Sequence, residues 1–157
     1  MDPGPRMRYE LCRLAAAGDK RLEVSRAEID REGPSYTVDT LLALLEVADY
    51  EALYLIIGGD EAAALADWRD PERVLELANV AVAEREDAMR DRVLASVAAL
   101  DGGDRVEFFS MPRVDISSSL VRERVGAGRP IRYLVPEAVA AYIEEKGLYS
   151  QVGERAS

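Results

Sequence analysis

The sequence predicts an α/β domain of Rossmann-like character, a mostly parallel sheet with flanking helices. Strand-like segments alternate with segments of helical periodicity along almost the whole chain, the signature of successive βα units. Leu53, Tyr54, Leu55, Ile56 and Ile57 form an apolar run without alternation, as expected of a strand covered on both faces in a parallel sheet. The chain has 157 residues, 48% of them hydrophobic, which suits one globular domain. At that size it can bury about 68–70% of the surface its unfolded form exposes, without staples.

The elements follow in order. Met7, Leu11, Leu14 and Ala15 share a helical face that Gly18 and Asp19 end. Residues 21–25 read as a short strand. From Ser35 onward Val38, Leu41, Leu42 and Leu45 keep i, i+3, i+4, i+7 spacing, and Ser35 or Thr37 is expected to cap the helix. The apolar strand over 53–57 ends at Gly58-Gly59-Asp60. Two short helices over 61–66 and, after Pro71, 72–78 lead to a strand over 80–83. Met89, Val93, Val97 and Leu100 stripe another helix, closed by Gly102-Gly103. A strand over 106–109, a serine-capped helix over 117–125 and a last helix complete the series. Pro136 opens that last helix in its first turn, Val139, Tyr142 and Ile143 stripe it, and Gly147 stops it. Residues 1–149 are read as one domain and 150–157 as a flexible tail.

Composition removes several chemistries. There is no histidine and a single cysteine, so a Ser-His-Asp triad, a Cys-His pair, an imidazole ligand and a disulfide are all excluded. Cys12, in a helical stretch, reads as a buried small hydrophobe. No apolar stretch approaches the ~20 residues of a membrane span, and the N-terminus has no apolar signal core. A cytoplasmic protein is expected, with no nucleic-acid or membrane partner, since a net charge of -10 disfavours both. Between Met111 and Arg132, however, Arg113, Arg122, Arg124, Arg129 and Arg132 outnumber Asp115 and Glu123. Such a local positive field suits an anion.

Four segments carry candidate chemistry. Ile116-Ser117-Ser118-Ser119 with Arg122 gathers hydroxyls and backbone N–H groups at a helix start with a cation one turn on, a phosphate cradle or simply a cap beside a surface arginine. Ile56-Ile57-Gly58-Gly59-Asp60 places glycines and a carboxylate beyond a strand's carboxyl end, where nucleotides bind in doubly wound sheets, and equally where an ordinary turn is capped. Gly33-Pro34-Ser35-Tyr36-Thr37-Val38-Asp39-Thr40-Leu41 offers small hydroxyl residues that also serve turns. Trp68, flanked by Asp67 and Arg69, is the one tryptophan, either core or a face for a flat ring.

Together with Arg132-Tyr133-Leu134-Val135-Pro136, Tyr142-Ile143 and Gly147-Leu148-Tyr149, these motifs, in this order, resemble the bacterial nicotinate mononucleotide adenylyltransferases of the nucleotidyltransferase superfamily. The resemblance runs from about Arg6 to Tyr149. The Ser-Tyr-Thr and Gly-Leu-Tyr signatures are specific to that family; the serine-rich cradle is shared with relatives such as phosphopantetheine adenylyltransferase. It implies adenylyl transfer from ATP, with Mg2+, to nicotinate mononucleotide, giving deamido-NAD and pyrophosphate in NAD biosynthesis. By motif, Tyr36 and Thr37 would fix the nicotinate carboxylate, Trp68 would stack on the pyridine ring and Arg85 would face the mononucleotide. Gly58 and Asp60 would hold the adenosine, and Ile116, Ser117, Ser118 and Arg122 the phosphates, with Ser118 and Arg122 acting in catalysis. The partners implied are these small molecules, with a homo-oligomer left open.

The family also opens with a strand and a Gly-x-Phe-Asp-Pro-x-His-x-Gly-His loop whose histidines contact the ATP phosphates. Met1 aligns only after the family's second strand, so the resemblance implies an N-terminally truncated fold without the first β-α-β elements. The alternatives this raises are an inactive remnant that binds nucleotide or a partner chain, and a related adenylyltransferase. The chain alone is then expected to be aggregation-prone, with an unpaired edge at 53–57, and to make no measurable deamido-NAD.

Overall fold

The computed structural model describes residues 3–48, 50–84 and 87–150. In chain order the helices are α1 (Pro5–Ala16), α2 (Thr37–Val47), α3 (Gly59–Ala63), α4 (Pro71–Leu77), α5 (Asp87–Val97), α6 (Ser118–Gly126) and α7 (Glu137–Glu145), and the strands are β1 (Tyr54–Gly58), β2 (Asn79–Glu84) and β3 (Val106–Ser110). The residues gather into two compact units, Arg31–Arg113 and Met1–Asp30 with Val114–Ser157.

The unit Arg31–Arg113 holds the sheet. Its strands lie in the order β1-β2-β3, all parallel, with Ile56 beside Ala81 and Val82 beside Phe108. Helices must link parallel neighbours, and their apolar faces meet the strands in one core. Val38 and Leu41 of α2, Leu65, Val74 and Leu75, Val80 and Val82 of β2, and Val93 and Val97 of α5 are all buried there. In the other unit Val121, Ile131, Val139, Ile143 and Leu148 form a smaller core, with Leu11 and Leu14 of α1 against it. The alternation of strands and helices from residue 37 to 126 is as the periodicity predicts.

Several local expectations are corrected. Residues 21–25 form no strand but irregular chain, Leu22 being 59% exposed; no described strand pairs with them, and a strand has no internal hydrogen bonds to hold it. β1 is not covered on both faces: Leu55 and Ile57 are half-buried while Tyr54 is 57% and Ile56 67% exposed, because β1 is the sheet edge and only the Leu55 and Ile57 side packs on the core. Cys12 is exposed, lying off the Leu11 and Leu14 stripe. The cap position of α2 is held by Tyr36, not by Ser35 or Thr37, and the Tyr36 side chain makes no cap bond. Pro136 occupies the cap of α7, not its first turn. α5 ends at Val97, and Gly102, at φ 84, makes the left-handed turn toward β3 that a residue with Cβ adopts only with strain. Of the expected tail, residues 151–157 lie outside the described residues. Among the described residues no helix is long and apolar enough to cross a membrane.

Candidate active site

In the unit Arg31–Arg113 a cleft of about 610 Å3 opens at the carboxyl ends of the three strands. That is where ligands bind in open parallel sheets, and the volume suits a small molecule. Gly58 and Gly59 form its floor as β1 passes directly into α3, and Asp60 stands exposed in the first turn of that helix. Val82, Ala83, Met89 and Phe108 supply apolar walls. The sequence-predicted Gly58 and Asp60 thus share one cleft. Arg90 also lines it, its guanidinium 4.6 Å from the Phe108 ring centroid. Sequence reading missed Arg90, whose only signal was its place one residue after the buried-stripe position Met89.

The same unit brings Tyr36 and the tryptophan loop together. Tyr36 is extended at the start of α2 and Thr37 is the first helical residue. Helix geometry leaves the first N–H groups without an intrahelical acceptor, and the Tyr36 side chain does not cap them. Trp68 is half-buried and packed against the core. The neighbouring Arg69 lays its guanidinium 4.6 Å from the Tyr36 ring centroid. This contact joins two motifs that lie more than thirty positions apart in the chain. Arg31 donates from Nη1 to Thr40 Oγ1 at 3.2 Å, tying the loop before α2 to the helix. Arg85 lies outside the described residues.

The serine-rich segment belongs to the other unit. Ser117 caps α6, its hydroxyl accepting from the Leu120 N–H at 3.1 Å, so the cap reading is correct for this serine. Ile116, Ser118 and Arg122 are exposed. The arginines of this basic stretch divide by their partners. Arg124 donates to the Pro130 carbonyl at 2.9 Å and Arg129 to Glu123 at 2.8 Å, while Arg132 lies over Tyr133. Among the described residues Arg122 donates only to a neutral group, Ser119 Oγ, at 3.0 Å, and no described carboxylate pairs with it. It lines a hollow of about 870 Å3 with Arg129 and Lys146, and the Glu145 carboxylate, hydrogen-bonded at 2.7 Å, holds Lys146 above its ordinary pKa. Among the described residues no three His, Cys, Asp or Glu side chains gather into a group able to hold a metal ion.

The comparisons agree with this geometry. The cytidylyltransferase-like family model matches residues 6–124. A probable nicotinate-nucleotide adenylyltransferase of Roseiflexus sp. (strain RS-1) is 47% identical over 147 residues, which cover 92% of this chain and 72% of that protein. The protein of the same name from Thermus thermophilus is 41% identical over 143 residues, 90% of this chain and 72% of its own. Among solved structures, Plasmodium falciparum nicotinic acid mononucleotide adenylyltransferase complexed with APC aligns with a TM-score of 0.52 at 15% identity, over 75% of this chain and 60% of that one; this likeness concerns the fold. A parallel sheet with its cleft at the strand ends, the motifs in their expected order and identities above 40% across nine-tenths of the chain lead to one assignment: the chain belongs to the nicotinate-nucleotide adenylyltransferases of the cytidylyltransferase-like family.

Proposed function

We propose that the chain carries out adenylyl transfer from Mg-ATP to nicotinate mononucleotide, forming deamido-NAD and releasing pyrophosphate. The observation that carries this reading is the cleft at the carboxyl ends of β1, β2 and β3, with Gly58, Gly59 and Asp60 in it, in a chain whose relatives bear that name. The glycines let a nucleotide approach the backbone, and the Asp60 carboxylate accepts from ribose hydroxyls. Tyr36 and Thr37, at the start of α2, fix the carboxylate of the nicotinate ring, and Trp68 stacks on that ring. Arg85 is assigned to the mononucleotide on the family resemblance alone. Ile116, Ser117 and Ser118 supply backbone and hydroxyl donors for the triphosphate, and Arg122 its counter-charge.

No general base is needed. The mononucleotide phosphate is already ionised, so the reaction asks for in-line placement and for neutralisation of charge moving onto pyrophosphate. Arg122, the cation of the stretch whose side-chain partner is a neutral hydroxyl, suits that second task. Magnesium belongs to the substrate, carried on the ATP phosphates. The protein acts on small molecules.

The test is product formation. Because the chain contains no histidine, it is assayed both by itself and joined at Met1 to the histidine-bearing segment of the family, with Mg-ATP and nicotinate mononucleotide, deamido-NAD being read by chromatography and pyrophosphate by a coupled assay. Product from the joined protein, lost when either substrate is omitted, supports the reading. Absence of product from both proteins, with neither substrate bound in calorimetry, overturns it.

A further inference from the structure

Arg69 stands beside the lone tryptophan, and its guanidinium lies over the face of Tyr36 at 4.6 Å. An arginine stacked on an aromatic face is held in place while its in-plane donors stay directed outward. Its acidic neighbour does not occupy those donors. The Asp70 carboxylate lies 3.9 Å from Nε, beyond hydrogen-bond range, and no described residue accepts a hydrogen bond from Arg69. The side chain is 53% exposed, so an incoming ligand reaches it.

We infer that Arg69 is a specificity-determining residue, supplying the positive charge that makes the mononucleotide site prefer a pyridine carboxylate over the carboxamide. The inference rests on the proposed reading, in which Tyr36, Thr37 and Trp68 receive the pyridine ring. The two rings have the same shape, so apolar contact and stacking treat them nearly alike. What separates them is one negative charge. A guanidinium meets a carboxylate with charge-assisted and often bidentate hydrogen bonds, whereas an amide returns only a carbonyl oxygen and presents N–H groups that a cation cannot accept. The cleft at the strand ends carries Asp60 and Glu61 together with Arg90, whose guanidinium lies over the Phe108 ring. The two carboxylates there oppose an anion, and Arg69 is the cation beside Tyr36 and Trp68. Stacking on Tyr36 lowers the entropy lost when the arginine engages its ligand.

The chain provides its own reporter, since Trp68 is its single tryptophan. Quenching of its fluorescence is measured with nicotinate mononucleotide and with nicotinamide mononucleotide on the wild-type chain and on R69Q and R69K, with calorimetry for ATP. For R69Q we expect about tenfold weaker binding of the nicotinate form, the loss of one hydrogen bond to a charged group at a partly exposed site. The nicotinamide form and ATP should bind within twofold of wild type, and R69K should fall between. R69K, which keeps the charge, also serves if R69Q does not fold. Equal weakening of both mononucleotides, or none, overturns the role and leaves Arg69 as packing for Tyr36. Absence of any quench with the wild-type chain and either mononucleotide overturns the underlying reading of the site instead.

Discussion

Adding one methyl group at each of the two adjacent glycines, 58 and 59, should separate a functional position from a structural one. Both line the cleft. A Cβ placed on Gly58 meets nothing within 4 Å, whereas one on Gly59 would lie 2.4 Å from Met89 Cγ and 3.4 Å from its Cβ. Gly58 has φ -78 and ψ 162, a conformation alanine adopts freely, so Gly58→Ala should leave stability unchanged or raise it by about 0.4–1 kcal/mol through the unfolded chain. The methyl would, however, stand in the cleft where the nucleotide backbone contact is proposed, and ATP affinity should fall about tenfold or more. Gly59→Ala forces Met89 to move. Overpacking of this kind costs about 1–3 kcal/mol, offset by up to about 1 kcal/mol of helix propensity at the start of α3. The net expectation is a loss of about 0–3 kcal/mol, centred near 1.5, or a few degrees in Tm, since each kcal/mol shifts a domain of this size by about 2–4 °C. Thermal melts and ATP calorimetry on the two variants decide the matter. Wild-type ATP affinity in Gly58→Ala would refute the placement of the nucleotide, and an unchanged melt in Gly59→Ala would refute the packing argument.

Other substitutions test the remaining parts. Arg122→Ala, in the protein joined to the histidine-bearing segment, should depress turnover roughly 10- to 1000-fold, because charge on the departing pyrophosphate loses its counter-ion; near-wild-type turnover would make it a surface arginine. Trp68→Ala should weaken mononucleotide binding by about 0.5–1.5 kcal/mol beyond lost area while calorimetry shows ATP affinity unchanged. Leu75→Ala, at a fully buried core position, should cost about 2–5 kcal/mol in a denaturant melt. Hydrogen bonds from Arg21 to Asp19 and from Arg26 to Asp30 hold both carboxyls below their ordinary pKa. Stability from such groups is present above the unfolded pKa and lost as pH falls through the folded one, so the melting difference between wild type and the D19N/D30N double variant should be constant from pH 7 to about 5 and shrink in acid.

Much of the fold was legible because its signals are local. The i, i+3, i+4, i+7 spacing of Val38, Leu41, Leu42 and Leu45 needs no tertiary partner to be read, and α2 follows it. The strand at 80–83 follows from its apolar run Val80-Ala81-Val82-Ala83, and the one at 106–109 from Val106, Phe108 and Phe109 after Gly102-Gly103. Failures fall where the outcome depends on a neighbour. Residues 21–25 have strand composition, but pairing is a property of two segments, and no described strand lies beside them. β1 has the composition of a doubly covered strand, but only its Leu55 and Ile57 face packs on the core, so Tyr54 and Ile56 on the other face are exposed. Residue types likewise pointed to Gly58, Asp60 and Trp68, while Arg69 and Arg90 became visible only through ring faces supplied by Tyr36 and Phe108. No spacing rule encodes those contacts.

The charge distribution shows why an acidic chain can serve anionic substrates. A net charge of -10 repels nucleotides at long range, but at physiological ionic strength that field decays over about 8 Å, so a bound phosphate responds to its immediate neighbours. There the distinction among arginines matters more than their number. Arg129 is paired with Glu123 and Arg124 is committed to a backbone carbonyl, so each stabilises the chain around α6 and contributes less to a ligand. Among the described residues Arg122 is bonded to a hydroxyl, and Arg69 is stacked on a ring with the nearest Asp70 oxygen 3.9 Å from its Nε, beyond hydrogen-bond distance. Each sits next to a motif expected to meet an anion, one the triphosphate and the other the nicotinate carboxylate. Recognition by two such cations, next to different motifs, requires that each act on its own part of the substrates. The two losses should therefore be additive, as for independent sites: Arg122→Ala should leave the preference for the carboxylate ring intact, and R69Q should leave the affinity for ATP intact. A double variant that loses markedly more or less than the sum would show that the two arginines act on one shared group, and would displace Arg69 from the ring.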